Sequence, residues 1–434
     1  MQSKRTGTCG NGARQMQSSG TKSDEQIHAD NTGKILFTGA LTFLTITAAA
    51  LLHVNQPEFI FDRFPGISNL DYSLFDVMLY AAYLIFGIAT GALSDRWLRR
   101  RIFVILGAFG SIVFYLLMTT TLSYPLLLTY RFLQGSFTVM AWQSFMTLAL
   151  DFSNAQSRGK HMGIFGALLA LSFGFGPAIG GILATIGVLV PYYAAAALNA
   201  IVLIMTIGGL RDPPTTRRRP SIVQSLLVMK RYPKLSIPIT FNFVDRLHMG
   251  FILVALPLFL SSVLGLPESL RGMALAIFAI PFIILQYPMG KLSDKYGRYP
   301  VLIVGSLPYG IVLAVLGLIG ALGFLPLLIG LVFLGIFSGI TAPSALALVG
   351  DASKTEDSAM AMSLFNFSGN LGVTVGPLIL GYFLLISDFF TTFLVAGIIE
   401  LVSLLAIIIS IKYVFNETLG QDRHDLVSQS IAFQ

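Results

Sequence analysis

The chain has 434 residues, 55% hydrophobic and only 11% charged, where a soluble protein carries about 25% charged residues. With a mean hydropathy of +0.77, the composition excludes an ordinary soluble fold. The formal net charge of +7 comes from basic residues gathered in short loops, and no polar domain is large enough to present them to nucleic acid.

A helix crossing the roughly 30 Å of bilayer hydrocarbon needs about 20 apolar residues. Twelve runs qualify, near 35–54, 74–94, 102–121, 125–149, 162–186, 190–210, 235–260, 271–289, 300–320, 324–348, 361–385 and 390–412. Lipid accepts only helices or closed barrels, and these runs are too long and too uniformly apolar for barrel strands. Residues 1–33, polar and of mixed charge, read as a flexible cytoplasmic tail rather than a signal peptide. The one cysteine, Cys9, lies in that tail.

Span one carries Thr38, Thr42 and Thr45 on one face, continued by Ala49 and His53. Such hydroxyls can line a polar cavity or bond to the preceding helical carbonyls. The loop after span two reads GALSDRWLRR, with Gly91, Asp95, Arg96 and Arg99. In span four, Arg131, Gln134, Gly135, Thr138 and Trp142 share a face at 100° per residue. Span five contains FGFGPAIGG, including Gly176, Pro177, Gly180 and Gly181, small enough to let another helix approach closely. The segment 211–233 is basic and proline-containing, and long enough for a short amphipathic helix.

Span seven breaks its apolar run with FNFVDRLHMG. On a helical wheel Asn242, Asp245 and Arg246 fall on one side, with His248 at its edge. A charge at the bilayer centre costs at least ~3 kcal/mol, so this face should meet an aqueous cavity between bundles. Asp245 and Arg246, 100° apart, are poor partners for each other; substrate, Arg131 or Glu400 of span twelve are the expected ones. Asp245 is the expected proton-exchanging group, and a structural ion pair is the competing reading.

The second half repeats the first at an offset of 199 or 200 positions. GALSDRWLRR returns as GKLSDKYGRY, with Gly290, Asp294, Lys295 and Arg298. Asp151 returns as Asp351, Gly135 as Gly335, and Gly176-Pro177 as Gly376-Pro377. The chain is therefore expected to be an all-α membrane protein of twelve helices in two pseudo-symmetric six-helix bundles, over 34–210 and 234–415, with a tail over 416–434. Of 28 Lys and Arg, 24 lie in alternate loops and tails, which places both termini in the cytoplasm. Only Arg63 and Arg271 fall in the opposite loops.

These motifs resemble the major facilitator superfamily over essentially residues 34–415. The loop motif of that family is similar to Gly91–Arg101, with Leu98 in place of a glycine, and to Gly290–Arg298, which keeps it as Gly297. The resemblance implies that these loops gate the cytoplasmic side. RFLQG is similar to an element of the family's proton-coupled members, and FGFGPAIGG to the motif of its exporters, with Ser172 where a glycine is usual. The implied function is secondary active transport of a small molecule by alternating access, as proton-coupled efflux (antiport) at the plasma membrane. A proton-coupled importer or uniporter of an anionic metabolite is the alternative. A monomer is expected, working with protons and a small-molecule substrate in the bilayer, without a cofactor. A membrane sensor would need a soluble output module. An enzyme would need a second acid–base cluster. There is no phosphate-binding GK[ST] loop, and the five histidines show no metal-ligand spacing.

Overall fold

A computed structural model describes residues 12–97, 99–153, 157–212, 222–354 and 357–416. Its helices, in chain order, are α1 (Gly12–Ala50), α2 (Gln56–Phe61), α3 (Asn69–Trp97), α4 (Arg100–Thr120), α5 (Tyr124–Asp151), α6 (Arg158–Ala184) and α7 (Val190–Gly209). They continue with α8 (Ile222–Arg231), α9 (Ser236–Ser262), α10 (Glu268–Tyr296), α11 (Arg298–Ala321), α12 (Phe324–Asp351), α13 (Ser358–Ile386) and α14 (Phe389–Ile409). Helix is what hydrocarbon imposes, because each amide must find its partner within the same segment.

Eleven of these helices are long and apolar enough to cross a membrane. The twelfth spanning helix is α5, whose 28 residues have the length. Its middle carries Arg131, Gln134, Ser136 and Thr138, which dilute its apolar character. The short α2 and α8 do not span. Helix α1 begins at Gly12, inside the segment expected to be a tail, although its spanning part is Asn31–His53. A helix already nucleated in an apolar run extends cheaply into polar residues. Helix α8 lies in the joining segment.

The first six spans form one lobe and the last six another. The lobes meet where α6 packs on α10 and α3 on α13. We term the side holding the start of α1 and the end of α14 the terminal side. At the opposite, far side one apolar core runs across both lobes, joining Leu51, Phe59 and Tyr192 to Phe251, Leu256 and Leu380. At the terminal side the cores are separate, one around Val104, Phe145 and Phe165 and the other around Leu235, Leu302 and Phe365. A Cβ on Gly181 would meet the backbone of Glu268, and one on Gly272 the backbone of Pro177, so glycine lets the lobes touch at the far side. Gly176 and Gly180 do the same for α6 against Ala50 and Leu51, as does Gly376 for α13 against Leu247.

Candidate functional site: a cavity between two lobes

Asp245, Arg246, Met249 and Leu253 of α9 line a cavity with Phe278 and Phe282 of α10, Tyr309 of α11 and Ser338 of α12. Phe173 of α6 closes it from the other lobe. Apart from Asp245, Arg246, Ser338 and the Tyr309 hydroxyl, the wall is apolar and aromatic, which suits lipophilic small molecules held by a few polar contacts.

Asp245 and Arg246 approach only to 3.9 Å, and their side chains keep 18% and 37% of their accessible surface. The Arg246 guanidinium also lies 3.1 Å from the Met249 sulfur. Neither reaches Arg131 or Glu400. Arg131 belongs to the other lobe: its Nη2 donates to Asp76 Oδ1 at 2.9 Å, with both side chains fully buried. Its Nη1 donates to Gln134 Oε1 at 3.0 Å, and Gln134 donates in turn to Tyr115 Oη and Thr138 Oγ1. His53 Nδ1 stands 3.6 Å from Asp76 Oδ2, and Phe75 stacks beneath the guanidinium at 4.5 Å. The span-four polar face thus closes on itself inside the N-terminal lobe. Trp142, expected on that face, is half-buried with its indole nitrogen unpaired.

Glu400 meets His248 instead of Asp245, with Oε2 3.3 Å from Nδ1. Ser306 donates to its Oε1. Asn242 also departs from expectation. Its amide donates to Phe365 O at 2.7 Å, so it ties α9 to α13 rather than facing the cavity. Thr38, Thr42 and Thr45 are buried and donate to the carbonyls of Lys34 and Ile35, Thr38 and Leu41 respectively. Their hydroxyls bond to carbonyls of their own helix.

At the terminal side each copy of the repeated loop builds a cluster within one lobe. Arg298 holds Asp294 at 2.6 Å, Asp351 at 3.1 Å and Ser293 at 2.7 Å. In the first copy the buried role falls to Arg100, which reaches Asp151 at 3.5 Å and Ser94 at 2.7 Å, while Arg99 is exposed. The physical reason is the turn. Gly297, at φ +91°, lets α11 start at Arg298, whereas α4 starts one register later, at Arg100. Leu98, in the glycine's place, lies outside the described residues, as do the side chains of Asp95 and Arg96. Lys295 lies over the Tyr296 ring, and a Cβ on Gly290 would only touch Pro343.

At the far side a latch crosses the lobes. Arg271, at the start of α10, donates to both carboxylate oxygens of Glu58 in α2, at 2.7 and 2.6 Å. It also donates to Leu266 O and Val54 O, and Ser261 donates to Glu58 at 3.0 Å. A bidentate Arg–carboxylate pair is the strong form of such a contact.

Sequence reasoning missed Asp76, Glu58, Tyr309 and Ser306. Asp76 was readable as a lone acid in an apolar run. Glu58 was hidden, because α2 is too short to show periodicity.

Two six-helix lobes, a cavity lined by α9–α12 and closed by Phe173 of the other lobe, and an apolar core crossing both lobes at the far side are the build of a membrane transporter. The family model of the Major Facilitator Superfamily matches residues 36–245 and 239–425, and the chain belongs to that family. It is thus a transporter and not an enzyme. It is 26% identical over 328 residues to an uncharacterised MFS-type transporter of Methanocaldococcus jannaschii, covering 73% of this chain and 83% of that one. It is 28% identical over 163 residues to the multi-drug resistance efflux pump PmrA of Streptococcus pneumoniae, covering 36% and 39%. The crystal structure of the nucleoside transporter NupG superposes with a TM-score of 0.71 at 14% identity, covering 87% of this chain and 99% of that one.

Proposed function

We propose that this protein exports small lipophilic molecules in exchange for protons, by alternating access at a plasma membrane, as a monomer with both termini in the cytoplasm. The observation that carries the reading is Asp245 in the cavity wall, an acid with no cation nearer than 3.9 Å amid aromatic and aliphatic side chains. A carboxylate so placed can exchange its proton for contact with a substrate. Similarity to the efflux pump PmrA supports the direction, and the basic loops on the terminal side support the orientation. The terminal-side clusters around Arg100 and Arg298 then belong to the cytoplasmic gate, and the Glu58–Arg271 latch is the outer closure.

The test is purified protein in liposomes with an imposed pH gradient and a panel of labelled lipophilic compounds. Uphill movement is expected in the wild type. In Asp245→Asn it is lost, while counterflow without a gradient persists. Gradient-driven accumulation by Asp245→Asn would remove the coupling assignment. A second reading, carriage of an organic anion as importer or uniporter, is favoured by one observation, the half-buried Arg246 guanidinium in the cavity wall. It requires labelled anions to compete in the same assay and Arg246→Gln to abolish their uptake.

A further inference from the structure

Behind the cavity wall lies a second group of polar side chains that the reading above leaves unused. His248 of α9 is fully buried and Glu400 of α14 nearly so. His248 Nε2 lies 2.9 Å from the carbonyl oxygen of Ala396. A carbonyl only accepts, so Nε2 carries a hydrogen. Nδ1 then faces Glu400 Oε2 at 3.3 Å and has no hydrogen-bond partner of its own. The other Glu400 oxygen is taken, since Ser306 donates to it. With Nε2 protonated, a bare Nδ1 beside an ionised carboxylate would set two lone pairs against each other in a low-dielectric interior. One added proton removes the conflict, whether it makes imidazolium against carboxylate or a carboxylic acid donating to Nδ1.

We infer that His248 and Glu400 hold one proton between them, forming a proton-binding site in the C-terminal lobe distinct from Asp245. The pair is neutral with this proton and carries one negative charge without it. Asp245 and Arg246 face it from α9, and Ser306 and Tyr309 from α11. The Tyr309 ring lies 5.7 Å from that of His248 and also lines the cavity. Helix α13 has no charged residue, and α12 has only Asp351, at its terminal-side end. Asp245 stands one turn before His248, so an ionised Asp245 and an unprotonated pair repel each other. The bound proton does not depend on the proton-coupled reading above.

The experiment is nitrogen-15 NMR of histidine-labelled full-length protein in nanodiscs at neutral pH, with infrared difference spectra. Subtracting the His248→Gln spectrum assigns His248 among the five histidines. The expected result is a protonated Nε2 with either a protonated Nδ1, or an accepting Nδ1 and a carboxylic C=O band that Glu400→Gln removes. A neutral ring with unbonded Nδ1 and an ionised Glu400 would overturn the site. If either variant does not fold, His248→Asn and Glu400→Asp serve the same subtraction. Absence of proton coupling in liposomes would defeat the function proposed above and leave these spectra unchanged. A bare Nδ1 would defeat the site and leave coupling through Asp245 untouched.

Discussion

Asp76, Arg131 and His53 illustrate how buried charge is tolerated in a spanning segment. Removing one member of a buried ion pair costs about 3–5 kcal/mol, because the partner is left uncompensated. Arg131→Ala is therefore expected to lower the thermal unfolding temperature in detergent substantially. Asp76→Asn combined with Arg131→Gln should be less damaging than Arg131→Ala alone. The sequence marks Arg131 as special and names it among the possible neighbours of Asp245 and Arg246, whereas it pairs with Asp76. Asp76 lies two residues inside the start of the apolar run near 74–94. Helix α3 in fact begins at Asn69, which places Asp76 inside the span.

At the level of helices, angular position was legible and partnership was not. The wheel sets Asn242 on the side of Asp245, yet α13 claims Asn242. Gly369, Gly372 and Gly376 bring α13 so close that a Cβ on any of them would strike Asn242 or the α9 backbone. Forcing a larger side chain into such a seam costs about 1–3 kcal/mol or more. Gly376→Leu should lower the unfolding temperature, whereas Gly163→Ala, with open space around it, should not. Differential scanning fluorimetry of the two variants decides this. At the start of α14, Asp388 caps the helix by accepting from the Thr391 amide, which also holds its carboxyl below the usual range. The cap is therefore present above the ordinary aspartate pKa and is lost as pH falls through the depressed value. Asp388→Ala should speed amide exchange over residues 389–391 at neutral pH and change little in acid.

The whole molecule is closed at the far side by the Glu58–Arg271 latch and the core shared between lobes, while the terminal-side cores stand apart. In the alternating access proposed above, this arrangement is one end-state of the rocking motion. Glu58→Gln weakens the bidentate pair without changing shape. In a Cys9→Ser background, spin labels on the two lobes at the far side should then show a broader, longer distance distribution by pulsed electron resonance. An unchanged distribution would mean that the apolar core alone holds the closure.

Hydropathy, repeat spacing and loop charge are local or periodic properties, so the twelve spans, the two lobes and the family resemblance could be read from the chain alone. The partners of its charges could not. Asp76 and Arg131 are 55 positions apart, Glu58 and Arg271 213, and His248 bonds to a carbonyl 148 residues away. Which helix lies beside which, and how near its glycines let it come, selects among many equally plausible pairs. That choice is made by packing, where a desolvated charge is stable only against the partner the fold supplies.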